Sequence, residues 1–180
     1  IGFGRSARRW AIGLAALGLI VGISVCLVVV RNEVILLREA VDACRSQVEV
    51  VQQRRFDLIP SLVETVKGYT KHEEELLVKL VELRTQWSDA ATADERNQSA
   101  EELETSLSRL LLVSENYPQL RSSEQFYTLQ YQLEGTENRI SVERRRSNVA
   151  LAEYNARSRM FPANLFGFPV LEQYFQAVPE

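Results

Sequence analysis

Apolar residues run without a charge from Trp10 to Val30 (WAIGLAALGLIVGISVCLVVV), whereas from Val34 onward they recur only at every third or fourth position. The first pattern is that of a helix apolar on all sides. At ~1.5 Å per residue it matches the ~30 Å hydrocarbon core of a bilayer, which predicts a transmembrane helix at 10–30. A buried core helix would carry polar positions over such a length. A signal sequence competes, because Arg5, Arg8 and Arg9 form a basic leader. However, the run exceeds the ~7–15-residue core of such signals, and Val-Val-Val-Arg-Asn is not a small-residue cleavage site. Ile-Ser-Val-Cys26 is a faint lipidation pattern, weakened by the bulky Val25. An uncleaved anchor is therefore expected, with Trp10 at the headgroup layer. The start at Ile1 rather than Met leads to the expectation that residues precede it.

The second pattern places Val34, Leu37, Val41, Cys44, Val48 and Val51 on one helix face, and no Gly or Pro separates it from the apolar run. The anchor is thus expected to continue straight into the following domain. Across Pro60 the positions Phe56, Ile59, Leu62 or Val63, and Val66 keep the same phase. This favours one kinked helix in which the proline removes a single backbone hydrogen bond. A new helix capped by Asp57, with Pro60 in its first turn, is the rival. Gly68-Tyr69 reads as a stop, and Thr70-Lys71-His72-Glu73 fits a capping box that would start a second helix near Lys71. That helix carries Leu76, Leu77, Leu80, Leu83, Arg84 and Trp87. A third runs from about Ala93 to Glu115, with Leu103, Leu107, Leu110, Leu111 and Ser114 inward, and Asn116-Tyr117-Pro118 breaks the chain. A fourth, capped by Ser122 or Ser123, continues to about Arg159 through Phe126, Leu129, Leu133, Thr136, Ile140, Glu143, Ser147, Leu151, Tyr154 and Ser158.

The expected fold is all-α: an N-terminal transmembrane helix continuing into an antiparallel up-down-up-down four-helix bundle. Its helices run long, short, short, long, at about 38, 22, 22 and 38 residues, or roughly 57, 33, 33 and 57 Å. The expected divisions are a basic flank at 1–9, the span at 10–30, the bundle at 31–160 and an aromatic tail at 161–180 that returns to the membrane. In that register Arg54, Arg55 and Asp57 stand level with Glu134, Glu137, Asn138 and Arg139 as a polar layer. Arg55 would pair with Glu134 or Glu137, and Gly135 would allow close approach. Such a layer fixes alignment more reliably than it adds stability.

Composition narrows the function classes. Only 8 Gly and 5 Pro agree with long helices, and 46% hydrophobic residues suffice for a core. A net charge of −3 gives no basic face for nucleic acid. Cys26 and Cys44 lie ~27 Å apart on one helix and cannot bridge. With His72 the single histidine, no metal or other cofactor is expected. No Gly-rich phosphate loop and no Ser/His/Asp set appears. Glu73-Glu74-Glu75 beside His72 reads as an acidic helix start. Arg144-Arg145-Arg146 reads as a solvated face, with Glu39 or Glu49 as partners. Arg5, Arg8 and Arg9 precede the span without an acid, whereas Arg31 and Arg38 mix with Glu33 and Glu39 beyond it. The amino terminus is therefore expected in the cytoplasm and the bundle outside it.

The segment Gln53-Arg54-Arg55-Phe56-Asp57-Leu58-Ile59-Pro60 through Gly68-Tyr69, with Lys71-His72-Glu73, Glu134-Gly135-Thr136-Glu137-Asn138-Arg139-Ile140, Tyr154-Asn155, Phe161-Pro162 and Phe166-Gly167-Phe168, resembles the bacterial LemA family. The likeness extends from about Val34 to Phe175, with Ser61 where the family usually has Asn. It implies a single-pass protein of the bacterial inner membrane with a helical-bundle domain and no established enzymatic activity; with the charge asymmetry above, that domain is expected in the periplasm. Members resemble a protein of magnetosome membranes, and others occur beside membrane-protease genes. The expected function is that of a non-enzymatic structural protein whose homo-oligomers organise or remodel the membrane. An adaptor of a membrane protease or envelope signalling protein is the alternative. Pro60, Gly68, Thr70 and Glu73 are expected as kink and caps. Trp10, Phe161, Phe166, Phe168, Tyr174 and Phe175 are expected as membrane or subunit contacts, since aromatic clusters suit both settings.

Overall fold

A stretch of 55 residues without proline builds the first helix, α1 (Phe3–Asp57). A computed structural model describes residues 3–70 and 73–175, and places after α1 the helices α2 (Ile59–Lys67), α3 (Glu74–Asp89), α4 (Ala93–Ser114), α5 (Pro118–Arg121) and α6 (Glu124–Arg159), then a 3-10 turn at Ala163–Phe166. The described residues contain no strand, so the chain is all-helical with one long apolar N-terminal helix.

Pro60 breaks the ladder for a single residue. Its missing N–H leaves the Phe56 carbonyl without the usual donor. Leu58 nevertheless stays right-handed helical at φ −79° and ψ −19°. Leu58 N donates to Arg55 O at 3.2 Å and Leu62 N to Leu58 O at 3.0 Å, so the chain passes from α1 into α2 without leaving helical space. Asp57 caps nothing: its Oδ1 accepts from Gln53 Nε2 at 2.8 Å, one turn back.

Two helix starts differ from the expected ones. Thr70 Oγ1 donates to Val66 O at 3.2 Å, where the end of α2 leaves a carbonyl for it. It forms no capping box, and α3 starts at Glu74 with no side-chain cap from Glu73. Gly68 ends α2 at φ −66°, so its left-handed freedom is unused. The capping box lies instead at α4, where Glu95 N donates to Thr92 Oγ1 at 3.2 Å and Thr92 N to Glu95 Oε2 at 3.2 Å. The break at Asn116–Pro118 gains one helical turn, α5. After it, Ser123 Oγ accepts from Phe126 N at 3.4 Å and opens α6.

The chain forms two compact units, one of residues 46–143 and one of residues 1–45 with 144–180. In the first, α3 and α4 form a hairpin tied by Lys79 Nζ–Glu102 Oε2 at 2.9 Å. Its core gathers Phe56, Ile59, Leu62 and Val66 with Leu80, Leu83, Leu103, Leu110 and Phe126. Phe56 stacks on Trp87 at 4.9 Å between ring centres. Arg96 lies over the same indole and bonds Glu49 at 3.1 Å, which clips the α3–α4 turn to α1. In the second unit, Val30, Val34 and Val41 of α1 pack with Leu151, Tyr154 and Ala163. The 3-and-4 spacing of α6 does what it predicts: Phe126, Leu133, Ile140, Ser147, Leu151, Tyr154 and Ser158 are buried, and Glu143 is partly buried. Leu111, expected inward, is exposed.

Candidate functional site

Of the seven residues expected in the polar layer, the structure brings two together. Arg55 Nη1 donates to Glu137 Oε2, with the arginine only 8% exposed. Helix phase explains the selection, because Arg55 shares the inward face of α1 with Val48, Val51 and Gln52. Arg54, Asp57, Glu134, Asn138 and Arg139 lie on exposed faces. Glu134 accepts from Gln130 within its own helix at 3.1 Å. Gly135 is exposed, and a Cβ there would meet nothing within 4 Å, so it supports no close approach. Gln52, 2% exposed with Nε2 unpartnered, and Thr136, whose Oγ1 donates to Leu133 O at 2.7 Å, are buried beside this face. The burial of Gln52 was legible in the α1 phase, but its polarity hid it.

Beside the Arg55–Glu137 pair lies a cavity of about 180 Å³ with Leu62, Leu107, Leu110, Phe126 and Leu133 in its walls and Glu104 and Glu134 among its polar groups. Among the described residues no imidazole or thiol enters it, and Ser108 brings the one hydroxyl. Among the described residues, no group of three or more His, Cys, Asp and Glu stands where it could hold a metal ion. At the far end of this unit Tyr117 hydroxyl donates to Glu73 Oε1 at 3.4 Å. Partial burial, and secondarily the Glu73 charge, push that phenol above its ordinary range.

The unit of residues 1–45 and 144–180 carries the tail. Asn155 grips Leu171 through both ends of its amide, Nδ2 to O at 2.7 Å and N to Oδ1 at 3.0 Å. Asn148 grips Phe175 in the same way, at 2.8 and 2.9 Å. Tyr154 hydroxyl donates to Pro169 O at 2.9 Å, and Arg45 Nη2 to Gln173 O at 3.2 Å. Arg144 lies over the Phe175 ring. Of the expected contact aromatics, Phe168 and Phe175 are half-buried, whereas Phe161, Phe166 and Tyr174 are exposed. Asparagine is a poor helix-interior residue, so two of them seven apart in α6 were the available signal for this grip. Arg157 bonds Glu33 at 2.7 Å, and this hydrogen bond holds the Glu33 carboxyl below its ordinary value of 4.5. Glu49 accepts from Arg96 Nη1 at 3.1 Å.

Along α1 in the same unit, Trp10, Ile12, Leu14, Leu17, Ile20, Ile23 and Val28 are each more than half exposed. A Cβ at Gly13, Gly18 or Gly22 would meet nothing within 4 Å. The chain buries none of this surface, and its length and composition suffice to cross a membrane.

An all-helical protein with one such apolar helix, a buried ion pair and a strapped aromatic tail is the class these features define. The chain belongs to the LemA family, whose pattern matches residues 44–179. It is also similar to magnetosome proteins MamQ 1 and MamQ 2 of Paramagnetospirillum magneticum (strain ATCC 700264 / AMB-1), each 24% identical over 177 residues, covering 82% of this chain. The chain spans 65% of the length of these relatives.

Proposed function

We propose that this is a non-enzymatic, single-pass protein of the bacterial inner membrane whose helices form an antiparallel four-helix bundle, and which self-associates to organise or remodel the bilayer. One observation carries the reading: α1 runs unbroken from a bare apolar stretch into buried cores, Phe3 to Asp57. The charge asymmetry about the span supports an amino terminus in the cytoplasm and a bundle in the periplasm.

The tail fits a seat on the bilayer surface. Met160, Phe161 and Leu165 are 56%, 77% and 67% exposed, and Ala163 packs in the same cluster as Val30, the last residue of the span. Exposed Arg31 and Arg159 flank this apolar tip with the charge that anionic headgroups attract. Gly18 and Gly22, four apart with open space at each Cβ, offer a face on which two spans could approach closely. The magnetosome relatives agree with a role at membranes.

Full-length protein reconstituted in nanodiscs and in larger vesicles tests this. Mass measurement should give a discrete multimer, and imaging should show altered vesicle curvature relative to empty controls. Monomers in discs of every size, with unaltered vesicles, would contradict the reading and leave the adaptor role as its replacement.

A further inference from the structure

The strap over α6 is held mainly through its main chain, with one side-chain bond beside it, Asn155 Nδ2 donating to the Tyr174 hydroxyl at 3.2 Å. The carbonyls of Pro169, Leu171, Gln173 and Phe175, every second residue, accept from Tyr154, Asn155, Arg45 and Asn148. The N–H groups of Leu171 and Phe175 donate back to the same two asparagines. As the tail number rises from 171 to 175 the helix number falls from 155 to 148, so the segment runs antiparallel to α6. Two helical turns, about 10.5 Å, thereby span the strap from Leu171 to Phe175, which Tyr174 N–H donating to Glu172 O at 2.9 Å draws in from full extension. Toward the strap's main chain each asparagine amide presents a donor and an acceptor side by side, as a neighbouring β-strand would. A groove of this kind selects an extended peptide by its backbone, and side chains contribute the remainder through half-buried Phe168, Leu171 and Phe175.

Two further features bear on which peptide fills it. Gly167, at φ 64°, is the sole left-handed residue among those described, and it stands where the strap leaves the 3-10 turn. Rotation there redirects the whole strap at little steric cost, because glycine carries no Cβ. Docked on its own helix, the strap also leaves Val170 at 40% and Tyr174 at 47% exposed. An identical strap from another copy would satisfy every bond of the groove, so exchange conserves the contacts and demands only the hinge and the encounter. Anchoring in one bilayer brings groove and strap of separate copies to the same level and raises their effective concentration.

We propose that residues 168–175 of one copy occupy the groove formed by Arg45, Asn148, Tyr154 and Asn155 of a neighbouring copy in the membrane. This rests on the self-association proposed above and names its device. The test uses full-length protein with photoreactive benzoylphenylalanine in place of Phe175. Equal amounts of nitrogen-14 and nitrogen-15 protein are reconstituted together in phosphatidylethanolamine–phosphatidylglycerol vesicles, irradiated and digested. Crosslinked peptides joining the tail to residues 144–155 should include light–heavy pairs as abundant as same-isotope pairs. They should disappear in the Asn148→Ala, Asn155→Ala double variant, with helicity by circular dichroism confirming that it folds. Same-isotope pairs alone would overturn the exchange, and crosslinks that persist in the double variant would overturn the asparagine grip. Mass measurement on the same vesicles separates the two proposals. Multimers with same-isotope pairs alone would sink exchange but not assembly, and monomers would sink both.

Discussion

Tyr154→Ala is expected to destabilise the unit of residues 1–45 and 144–180 by about 3–5 kcal/mol, the usual cost of removing a fully buried aromatic ring. Tyr154 is 0% exposed and packs with Val34, Val41, Leu151 and Ala163. Truncation would open a cavity between α1 and α6 that a rigid helix pair cannot collapse to fill. It also removes the hydroxyl that donates to Pro169 O of the strap. Tyr154→Phe separates the two effects: it keeps the ring and loses one hydrogen bond, worth about 0.5–1.5 kcal/mol. Urea unfolding in detergent, with limited proteolysis after Gly167 as the reporter of the strap, reads both. Wild-type unfolding of the alanine variant would show that the ring is not a core member.

Glu137→Leu is expected to cost about 3 kcal/mol in the unit of residues 46–143. Arg55 is 8% exposed and bonded to Glu137, so the substitution leaves a buried guanidinium facing leucine in place of its carboxylate. Removing one partner of a buried pair costs about 3–5 kcal/mol. The lower end applies because the Glu137 side chain is 30% exposed and water screens part of the loss. Replacing both, Arg55→Leu with Glu137→Leu, should return stability to within about 1 kcal/mol of wild type, since two apolar groups demand no partner. If the pair sets alignment, that double variant should fold yet assemble into altered or mixed multimers. Guanidinium unfolding followed by Trp87 fluorescence gives the stabilities, and mass measurement gives the assembly. A single variant as stable as wild type would remove the ion pair from the account.

What the sequence made legible follows from what is local in it. Burial on α6 came out residue by residue because a helix converts 3-and-4 spacing into one face without help from the rest of the chain. The same held for Val34, Val41, Val48 and Val51 on α1. The polar layer was harder: the correct helices and level led to seven residues, of which Arg55 and Glu137 meet. Numbers level along a pair of helices do not say which way each side chain points, and Arg54, one residue before Arg55, faces water. The capping box failed for a related reason. Thr70-x-x-Glu73 has the right letters, but the end of α2 offers the threonine hydroxyl a nearer acceptor at Val66 O. Thr92-x-x-Glu95, with the same letters and no competing carbonyl, forms the box. The strap was the least legible feature. Its grip joins residues 15 to 27 apart on α6 and 128 apart to Arg45, and such pairings leave no periodic trace.

The chain's two tryptophans make the central claim, an anchored helix bearing a domain outside the bilayer, directly measurable. Trp10 heads the apolar stretch and is 76% exposed, while Trp87 lies buried in the core of residues 46–143. Trp87→Phe leaves Trp10 as the sole reporter, and Trp10→Phe leaves Trp87. In vesicles of lipid brominated at the top of its acyl chains, next to the headgroup layer, where bromine quenches indole on contact, Trp10 fluorescence should fall strongly and Trp87 fluorescence should stay at its value in unbrominated lipid. Unquenched Trp10 that soluble acrylamide reaches freely, or equal quenching of both tryptophans, would contradict the account.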